Sequence, residues 1–134
     1  MSEQLYLKIV TPDRVFFEGE IKSITARGIE GDFTILRNHA PFVTVIQISE
    51  MRVTPRDGES RRAAIAGGYL TVNQNEVIIM SDACEWADEI DTTRAERAKA
   101  RAEKRLASAK AGQDTLNAEI ALKRALNRLE VFRN

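Results

Sequence analysis

An abrupt change of residue usage near Asp91 is the feature that most constrains the fold of this 134-residue chain. All three prolines and six of the seven glycines lie before Asp91, among short segments rich in Val, Ile, Thr and aromatic residues. After Asp91 there is one glycine, Gly112, and ten alanines are interspersed with Arg, Lys, Glu and Leu. The first composition is typical of strands and turns, and the second is typical of helices. The change therefore predicts an α+β chain.

The segment before Asp91 has the pattern of an N-terminal β-sandwich, which we assign to residues 1–86. Strand-like segments alternate with turn signals at regular intervals, as in sandwiches and barrels. Asp57-Gly58 predicts one hairpin, and "NQNE" predicts a second hairpin between "GGYLTV" and "VIIMS". The segments "FVTVIQI" and "MRVTP" are predicted to be separate strands.

Residues 87–134 are predicted to form an acidic linker followed by a C-terminal antiparallel two-helix hairpin. The first helix is expected at about 92–110 and the second at about 114–131, because helix formers fill both segments. Gly112 separates them, since glycine commonly ends a helix.

Two residues can cap the first of these helices. Asp91 is one candidate, and Thr93 is the other because Thr93 and Glu96 match a capping box. Asp114 is the predicted cap of the second helix.

Apolar stripes at helical spacing run along both predicted helices. The stripe on the first helix is made of small side chains, so its docking is expected to bury little apolar area. The stripes comprise Ala95, Ala98, Ala102, Leu106 and Ala109 on the first helix, and Leu122, Leu126 and Leu129 on the second. Leu116 and Ile120 point elsewhere on the second helix, so one of its apolar sets can meet the first helix and the other the sheet.

Positive charge is concentrated in the helical half. Residues 1–90 carry 9 basic and 14 acidic side chains, whereas residues 91–134 carry 11 basic and 6 acidic ones. The common interpretation of such a face is a solvated helix surface with ion pairs one turn apart.

Four arginines favour an anion site instead. Arg94 and Arg101 are seven residues apart on one face of the first helix, and Arg124 and Arg128 are four apart on the second. If the helices run antiparallel about Gly112, the two pairs come near each other. Guanidinium groups fit phosphate well, so the pattern indicates a phosphate site.

The rarest reactive side chains do not form a catalytic pattern. His39 is the sole histidine and Cys84 the sole cysteine, so we expect neither a metal centre of the usual His/Cys kind nor an internal disulfide. The chain has no P-loop. It also lacks a signal-peptide pattern and an apolar stretch long enough for a bilayer, so we expect any link to a membrane to run through partners.

Five segments together resemble the epsilon subunit of bacterial F-type ATP synthase, a rotary, proton-translocating enzyme. The resemblance runs from about Tyr6 to Leu129, and its motifs are "VTPDRVFFEGE", "GDFTILRNHAPFV", "GGYLTV", "IDTTRA" and "LKRALNRL". It implies a non-catalytic central-stalk subunit at the cytoplasmic face of the cell membrane. It also implies that the sandwich lies against the gamma subunit and the c ring, with Gly31 and His39 as partner contacts.

The resemblance further implies that ATP is a regulatory ligand of the folded hairpin, with no cofactor required. The motif does not specify whether Mg²⁺ accompanies the nucleotide. Carried over by position, the implied ATP-binding residues are Glu85, Ile90, Asp91, Arg94, Ala95, Arg101, Arg124 and Arg128.

In this family the opened hairpin is expected to extend into the catalytic alpha–beta hexamer and inhibit ATP hydrolysis. The chain departs from the family pattern at two places. Many relatives have Gly where this chain has Thr34, and Pro-Gly where it has Arg37-Asn38, although asparagine, like glycine, can adopt a left-handed turn.

One alternative is a purely structural rotor coupler that binds no nucleotide. A nucleic-acid adaptor with a basic helical arm is a further alternative, but seven of the eight aromatic residues precede Asp91, where such an arm would not use them for stacking.

Overall fold

The structure, a computed structural model, describes residues 4–108 and 112–134. The chain divides into two compact units, Met1–Trp86 and Ala87–Asn134. The first unit contains the strands and the second contains the helices. The predicted order of a β-sandwich followed by two helices is confirmed.

The strands of the first unit are β1 (Leu5–Val10), β2 (Val15–Gly28), β3 (Gly31–Leu36), β4 (Phe42–Pro55), β5 (Arg61–Asn73), β6 (Glu76–Met80) and β7 (Cys84–Trp86). They form a sheet that closes on itself. In the order β1-β6-β5-β4-β2, each strand pairs with the next, and a pairing of β1 with β2 completes the ring. β3 extends from β2, and β7 pairs with β5. β1 and β6 are parallel and the other pairs are antiparallel.

Two long strands, β2 and β5, carry the chain from one layer of the sandwich to the other. The first half of β2 pairs with β1 and its second half pairs with β3. Likewise, β5 pairs first with β7 and then with β6. Because one strand serves two neighbours in succession, the layers are joined without separate connections.

The prediction of two strands in the region of β4 was wrong. "FVTVIQI" and "MRVTP" belong to one 14-residue strand, and Ser49 between them is only 2% exposed. The Ser49 hydroxyl donates to the carbonyl oxygen of Gln47 at 2.8 Å. A satisfied polar side chain can be buried at low cost, so it interrupts the apolar pattern without ending the strand.

The core lies between the layers and is aliphatic. Side chains of β1 alternate between buried and half-buried, as expected for a strand with one face inward. Trp86 closes the core at β7, where its ring stacks on Phe16 with centroids 4.6 Å apart. The largest fully buried side chains are Leu5, Leu7, Ile9, Ile24, Ile35, Ile46, Met51, Ile65, Leu70, Ile79, Val53 and Val77.

Both predicted hairpins are present. β4 and β5 are antiparallel around Asp57-Gly58, and β5 and β6 are antiparallel around a turn whose two central residues are Gln74 and Asn75. Their φ angles are 49° and 64°. Two positive φ angles in a two-residue loop are the requirement of a type I′ turn, which matches the twist of the flanking strands.

Close backbone approach occurs at Gly68 on β5. Its φ is +148°, and a Cβ atom there would lie 2.1 Å from the carbonyl oxygen of Met80. Neither the backbone conformation nor the space accepts a side chain, so glycine is required at this position.

We expect Gly68→Ala to lower the free energy of unfolding by about 3 kcal/mol or more, because backbone strain and steric overlap add. Gly19→Ala is the matched control within a strand, since a Cβ at Gly19 would make only ordinary contacts with Phe17. It should change stability by less than about 1 kcal/mol. Urea unfolding of the full chain measures both, and equal stabilities would contradict the assignment.

The second unit begins with a 3-10 turn, Ala87–Glu89, followed by α1 (Thr92–Ser108) and α2 (Gln113–Arg133). The two helices pack on each other, and α2 also contacts the 3-10 turn. The predicted end of the first helix, at about residue 110, lies outside the described residues. No helix among the described residues has both the length and the apolar character needed to cross a bilayer.

Candidate functional site

Asp91 caps the first helix. Its Oδ1 accepts the backbone N–H of Arg94 at 3.1 Å, and its carbonyl oxygen accepts the N–H of Ala95 at 3.0 Å. Of the two predicted caps, Asp91 therefore fills the role, because the helix begins at Thr92, before Thr93 can act as a cap. The exposed Asp91 carboxylate is held at the positive end of the helix, next to the backbone of Arg94.

The predicted cap of the second helix was wrong. Gly112 occupies the N-cap position with φ 109°, and the helix begins at Gln113. Asp114 consequently lies inside the first turn. There its carboxylate can act on the helix dipole, but it lies two residues after the cap position.

The face of α1 that packs on α2 is made of alanines, as predicted. Ala95 and Ala102 are 1% exposed, and Ala98 and Leu106 are partly buried. Ala109, the last member of the predicted stripe, lies outside the described residues.

The predicted leucine stripe on α2 is buried only in part. Leu126 is 43% exposed, whereas Ala118 and Ala125 are fully buried and Leu129 is 7% exposed. Small side chains occupy the line of closest approach because they let two helix backbones come near each other. Leu122, the other member of the predicted stripe, is half-buried.

The four arginines share one edge of the hairpin, which we call the arginine edge. Each one directly precedes a buried residue, so it lies about 100° to one side of the helix–helix interface. Antiparallel helices are related by a two-fold axis across the interface, which places the preceding residues of both helices on the same side. The four pairs are Arg94-Ala95, Arg101-Ala102, Arg124-Ala125 and Arg128-Leu129.

The opposite edge of the hairpin supports this geometry. Residues that follow the buried positions should meet there, and a groove of about 490 Å³ is lined by residues of both helices. Glu96 follows Ala95 in this groove, and Glu130 follows Leu129. The complete lining is Glu96, Lys99, Leu126, Leu129, Glu130, Arg133 and Asn134.

The arginines differ in exposure between the two helices. Arg94 and Arg101 on α1 are exposed, whereas Arg124 and Arg128 on α2 are half-buried. The Nε atom of Arg124 is shielded from solvent. The α2 guanidinium groups are therefore held more firmly, and those of α1 are free to adjust to a ligand.

The two remaining implied site residues lie in different units. Ile90 is 6% exposed and comes directly before Asp91 in the helical unit. Glu85 is half-buried on β7 of the first unit, in register with Ala64 of β5. Its part in a nucleotide site stays a prediction.

The lone cysteine is not arranged for chemistry. Burial raises the pKa of the Cys84 thiol to about 12, although a hydrogen bond with Ser81 opposes the shift. The thiol is therefore protonated and a poor nucleophile near neutral pH. Among residues 4–108 and 112–134, no group of three His, Cys, Asp or Glu side chains could hold a metal ion.

Of the two implied partner contacts, Gly31 is the first residue of β3 and His39 follows the end of β3. Gly31 follows the turn residues Ile29 and Glu30 with φ +120°. His39 is in the loop between β3 and β4, and its ring centroid is 5.7 Å from that of Phe42. Their contact with a partner stays a prediction.

Sequence reasoning missed an exposed apolar patch on β4, β5 and β6. Val45 pairs with Tyr69, which pairs with Met80, and their exposures are 44%, 62% and 60%. Val43 and Ile78 extend the patch, at 73% and 41% exposure. The available signal was the apolar character of both faces of "FVTVIQI", since a one-sided strand alternates with polar residues. Exposed apolar patches of this kind mark binding surfaces.

A closed β-sandwich followed by a two-helix hairpin is the domain pair of the delta and epsilon chains of ATP synthases. The family model for the beta-sandwich domain of the ATP synthase delta/epsilon chain matches residues 4–87. The model for the long alpha-helix domain of the same chain matches residues 88–133.

Similar full-length relatives distinguish the epsilon chains within this class of delta and epsilon chains. The ATP synthase epsilon chain of Clostridium kluyveri is 42% identical over 133 residues, covering 99% of this chain and all of the relative. That of Alkaliphilus metalliredigens is 46% identical over 134 residues, covering 100% of this chain and 99% of the relative. The chain belongs to the ATP synthase epsilon chain family, whose members are subunits of ATP synthase other than the catalytic one.

A solved structure supports the fold. A chain in the mitochondrial ATP synthase of Euglena gracilis superposes with a TM-score of 0.80 at 23% identity. The match covers 100% of this chain and 84% of that chain.

We expect Asp91→Ala to weaken the start of α1 by about 1 kcal/mol, because the Arg94 N–H loses its acceptor. Thr93→Ala is the control, since Thr93 lies inside the helix, and it should have an effect below about 0.5 kcal/mol. Amide hydrogen exchange at Arg94 and Ala95, measured without nucleotide, distinguishes the two. Faster exchange in the Thr93 variant than in the Asp91 variant would assign the cap to Thr93.

Proposed function

We propose that this chain is a non-catalytic central-stalk subunit of a membrane ATP synthase that makes ATP from ADP using a transmembrane proton gradient. In this proposal it couples parts of the rotor and inhibits ATP hydrolysis through a hairpin that responds to ATP. It acts at the cytoplasmic face of the membrane and reaches the membrane through partners. The arginine edge is the observation that carries the regulatory part.

The sandwich is the coupling unit in this proposal. The apolar patch around Tyr69 is suited to bury against the gamma subunit, because exposed aliphatic and aromatic side chains gain most from losing water. Gly31 and His39 are assigned to contacts with the c ring. The Euglena gracilis assembly that contains a chain of this fold also contains a c ring, which supports the assignment.

The arginine edge suits a triphosphate. Arg94 and Arg101 approach from α1, and Arg124 and Arg128 approach from α2. Each guanidinium can donate two parallel hydrogen bonds to phosphate oxygens, and these charge-assisted bonds are stronger than neutral ones. A bound polyanion also removes the repulsion among four like charges. Asp91 supports the site indirectly, because it fixes the first turn of the helix on which Arg94 lies.

The alanine interface suits a switch. Each buried alanine contributes little apolar area, so separating α1 from α2 costs less than separating helices joined by leucines. Both helices are rich in strong helix formers and can persist after they separate. ATP binds the folded hairpin because the arginines of the two helices converge only there. Differential affinity of this kind shifts the equilibrium toward the folded form.

Inhibition follows from the opened hairpin. When ATP is scarce, the arginines repel and the helices extend along the gamma subunit into the alpha–beta hexamer. Residues 91–134 carry 11 basic and 6 acidic side chains, so acidic surfaces of that hexamer would attract them.

The alternative of a purely structural coupler assigns the same arginines to gamma or beta contacts and requires no nucleotide.

The first test is the affinity of the full chain for ATP, measured by calorimetry. We expect the double variant Arg94→Ala, Arg124→Ala to bind about 100-fold more weakly than wild type, because it loses one guanidinium from each helix. The matched control is Lys99→Ala, Arg133→Ala, which removes two positive charges from the opposite edge. It should bind like wild type.

Two outcomes would count against the site. Equal weakening in both double variants would indicate an effect of net charge rather than of the arginine edge. Absence of ATP binding to wild type would favour the structural coupler.

The second test is ATP hydrolysis by the assembled complex. Removing residues 91–134 should raise hydrolysis at low ATP and leave it unchanged at high ATP, because the hairpin inhibits only when it is open. A complex that contains the full-length Arg94→Ala, Arg124→Ala chain should remain inhibited at high ATP, because ATP no longer closes its hairpin. Unchanged hydrolysis at low ATP after the deletion would refute an inhibitory hairpin.

A further inference from the structure

The loop between β3 and β4, residues 37–41, is joined to a distant turn by two asparagine side chains. The Asn38 backbone N–H donates to Oδ1 of Asn75 at 2.6 Å, and Nδ2 of Asn75 donates to Oδ1 of Asn38 at 3.3 Å. We call this pair the asparagine clasp. Because 37 residues separate its members, the clasp is a tertiary contact.

Asn75 is held firmly at its own end of the clasp. It is 7% exposed and is the second central residue of the type I′ turn between β5 and β6. Its carbonyl oxygen accepts the N–H of Tyr6 at the start of β1, at 2.8 Å. One buried residue thus joins the β5–β6 turn, the first strand and the loop.

Asn38 needs such support. Its φ is 67°, a left-handed conformation that residues other than glycine rarely adopt. Asparagine tolerates this conformation best, and both hydrogen bonds of the clasp stabilise it here. The backbone turn at Asn38 sets the direction in which the chain continues to His39.

The His39 ring has a hydrogen-bond partner within the loop. Its Nδ1 lies 2.7 Å from the carbonyl oxygen of Ala40, so Nδ1 carries the proton that is donated. In the neutral ring the proton on Nδ1 leaves Nε2 as a hydrogen-bond acceptor. The ring packs near Phe42, which packs edge-on against Phe33 with centroids 5.5 Å apart. A partner that matches this imidazole offers a hydrogen-bond donor, such as a guanidinium or carboxamide group.

We infer that Asn75 is a positioning residue, which acts through Asn38 to hold the loop in the shape that presents Nε2 of His39 to a donor group on the c ring. The inference rests on the proposed function, because the c ring is the partner proposed for His39. Asn75 is buried, so its effect on the partner passes through the loop and not through direct contact.

The test compares Asn75→Gly with Gln74→Gly in the full chain. Glycine accepts the positive φ at either turn position, so both variants keep the turn and the backbone acceptor for Tyr6. Only Asn75→Gly removes the clasp. We expect both variants to fold, with a lower melting temperature for Asn75→Gly because it loses two hydrogen bonds. About tenfold faster amide exchange at Asn38 and about tenfold weaker binding to purified c ring are expected for Asn75→Gly alone.

A double-mutant cycle that combines Asn75→Gly with His39→Ala measures whether Asn75 acts through the loop. The effects of Asn75→Gly and His39→Ala on c-ring affinity should be less than additive, since either change removes the same interaction. Fully additive effects would overturn the positioning role, as would faster exchange with unchanged affinity. A wild-type chain that does not bind the c ring would instead refute the proposed partner, and the inference would fail with it.

Discussion

Four alanines at the contact between α1 and α2 set the properties of the helical unit. Ala95 and Ala102 on one helix, and Ala118 and Ala125 on the other, are almost completely buried. Their spacing of seven residues keeps them in line along nearly straight helices, and their size lets the backbones approach closely. The same contact fixes which residues share each edge of the hairpin. It also buries little apolar area, so one feature accounts for both the convergence of the arginines and the small cost of separating the helices.

The β unit has the opposite character. Its sheet closes on itself, and long strands pass from one layer to the other, so its aliphatic core is surrounded by paired strands. Closure removes most free edges and makes the unit a rigid support. Rigidity suits the coupling role proposed for this unit, because an apolar patch or a contact loop is useful only if its side chains keep their positions. The asparagine clasp extends this rigidity to a loop that strand pairing does not reach.

Much of the fold was predictable from local patterns. The two hairpins and the two helices follow from paired turn residues and helix formers, each of which acts within a few residues. The rest depends on contacts that no local pattern shows, some of them between near neighbours and others between distant segments. The two segments of β4 were predicted as separate strands because the bond from Ser49 to Gln47, two residues away, is invisible in the sequence. The leucine stripe is buried only in part, because close packing of the helices selects alanine at the buried positions. The apolar patch around Tyr69 was missed because alternation alone does not show which face of a strand is covered.

The sequence by itself determined the division into a β unit and a helical unit, the family resemblance and the identity of the arginines, because composition, motifs and spacing are properties of the chain. Only the tertiary structure decided which side of each helix is buried and that Asn75 supports the loop of His39. These outcomes depend on which surfaces meet, and a meeting of surfaces is a relation between segments far apart in sequence. Local preferences limit the possible contacts, and close packing with satisfied hydrogen bonds selects among them.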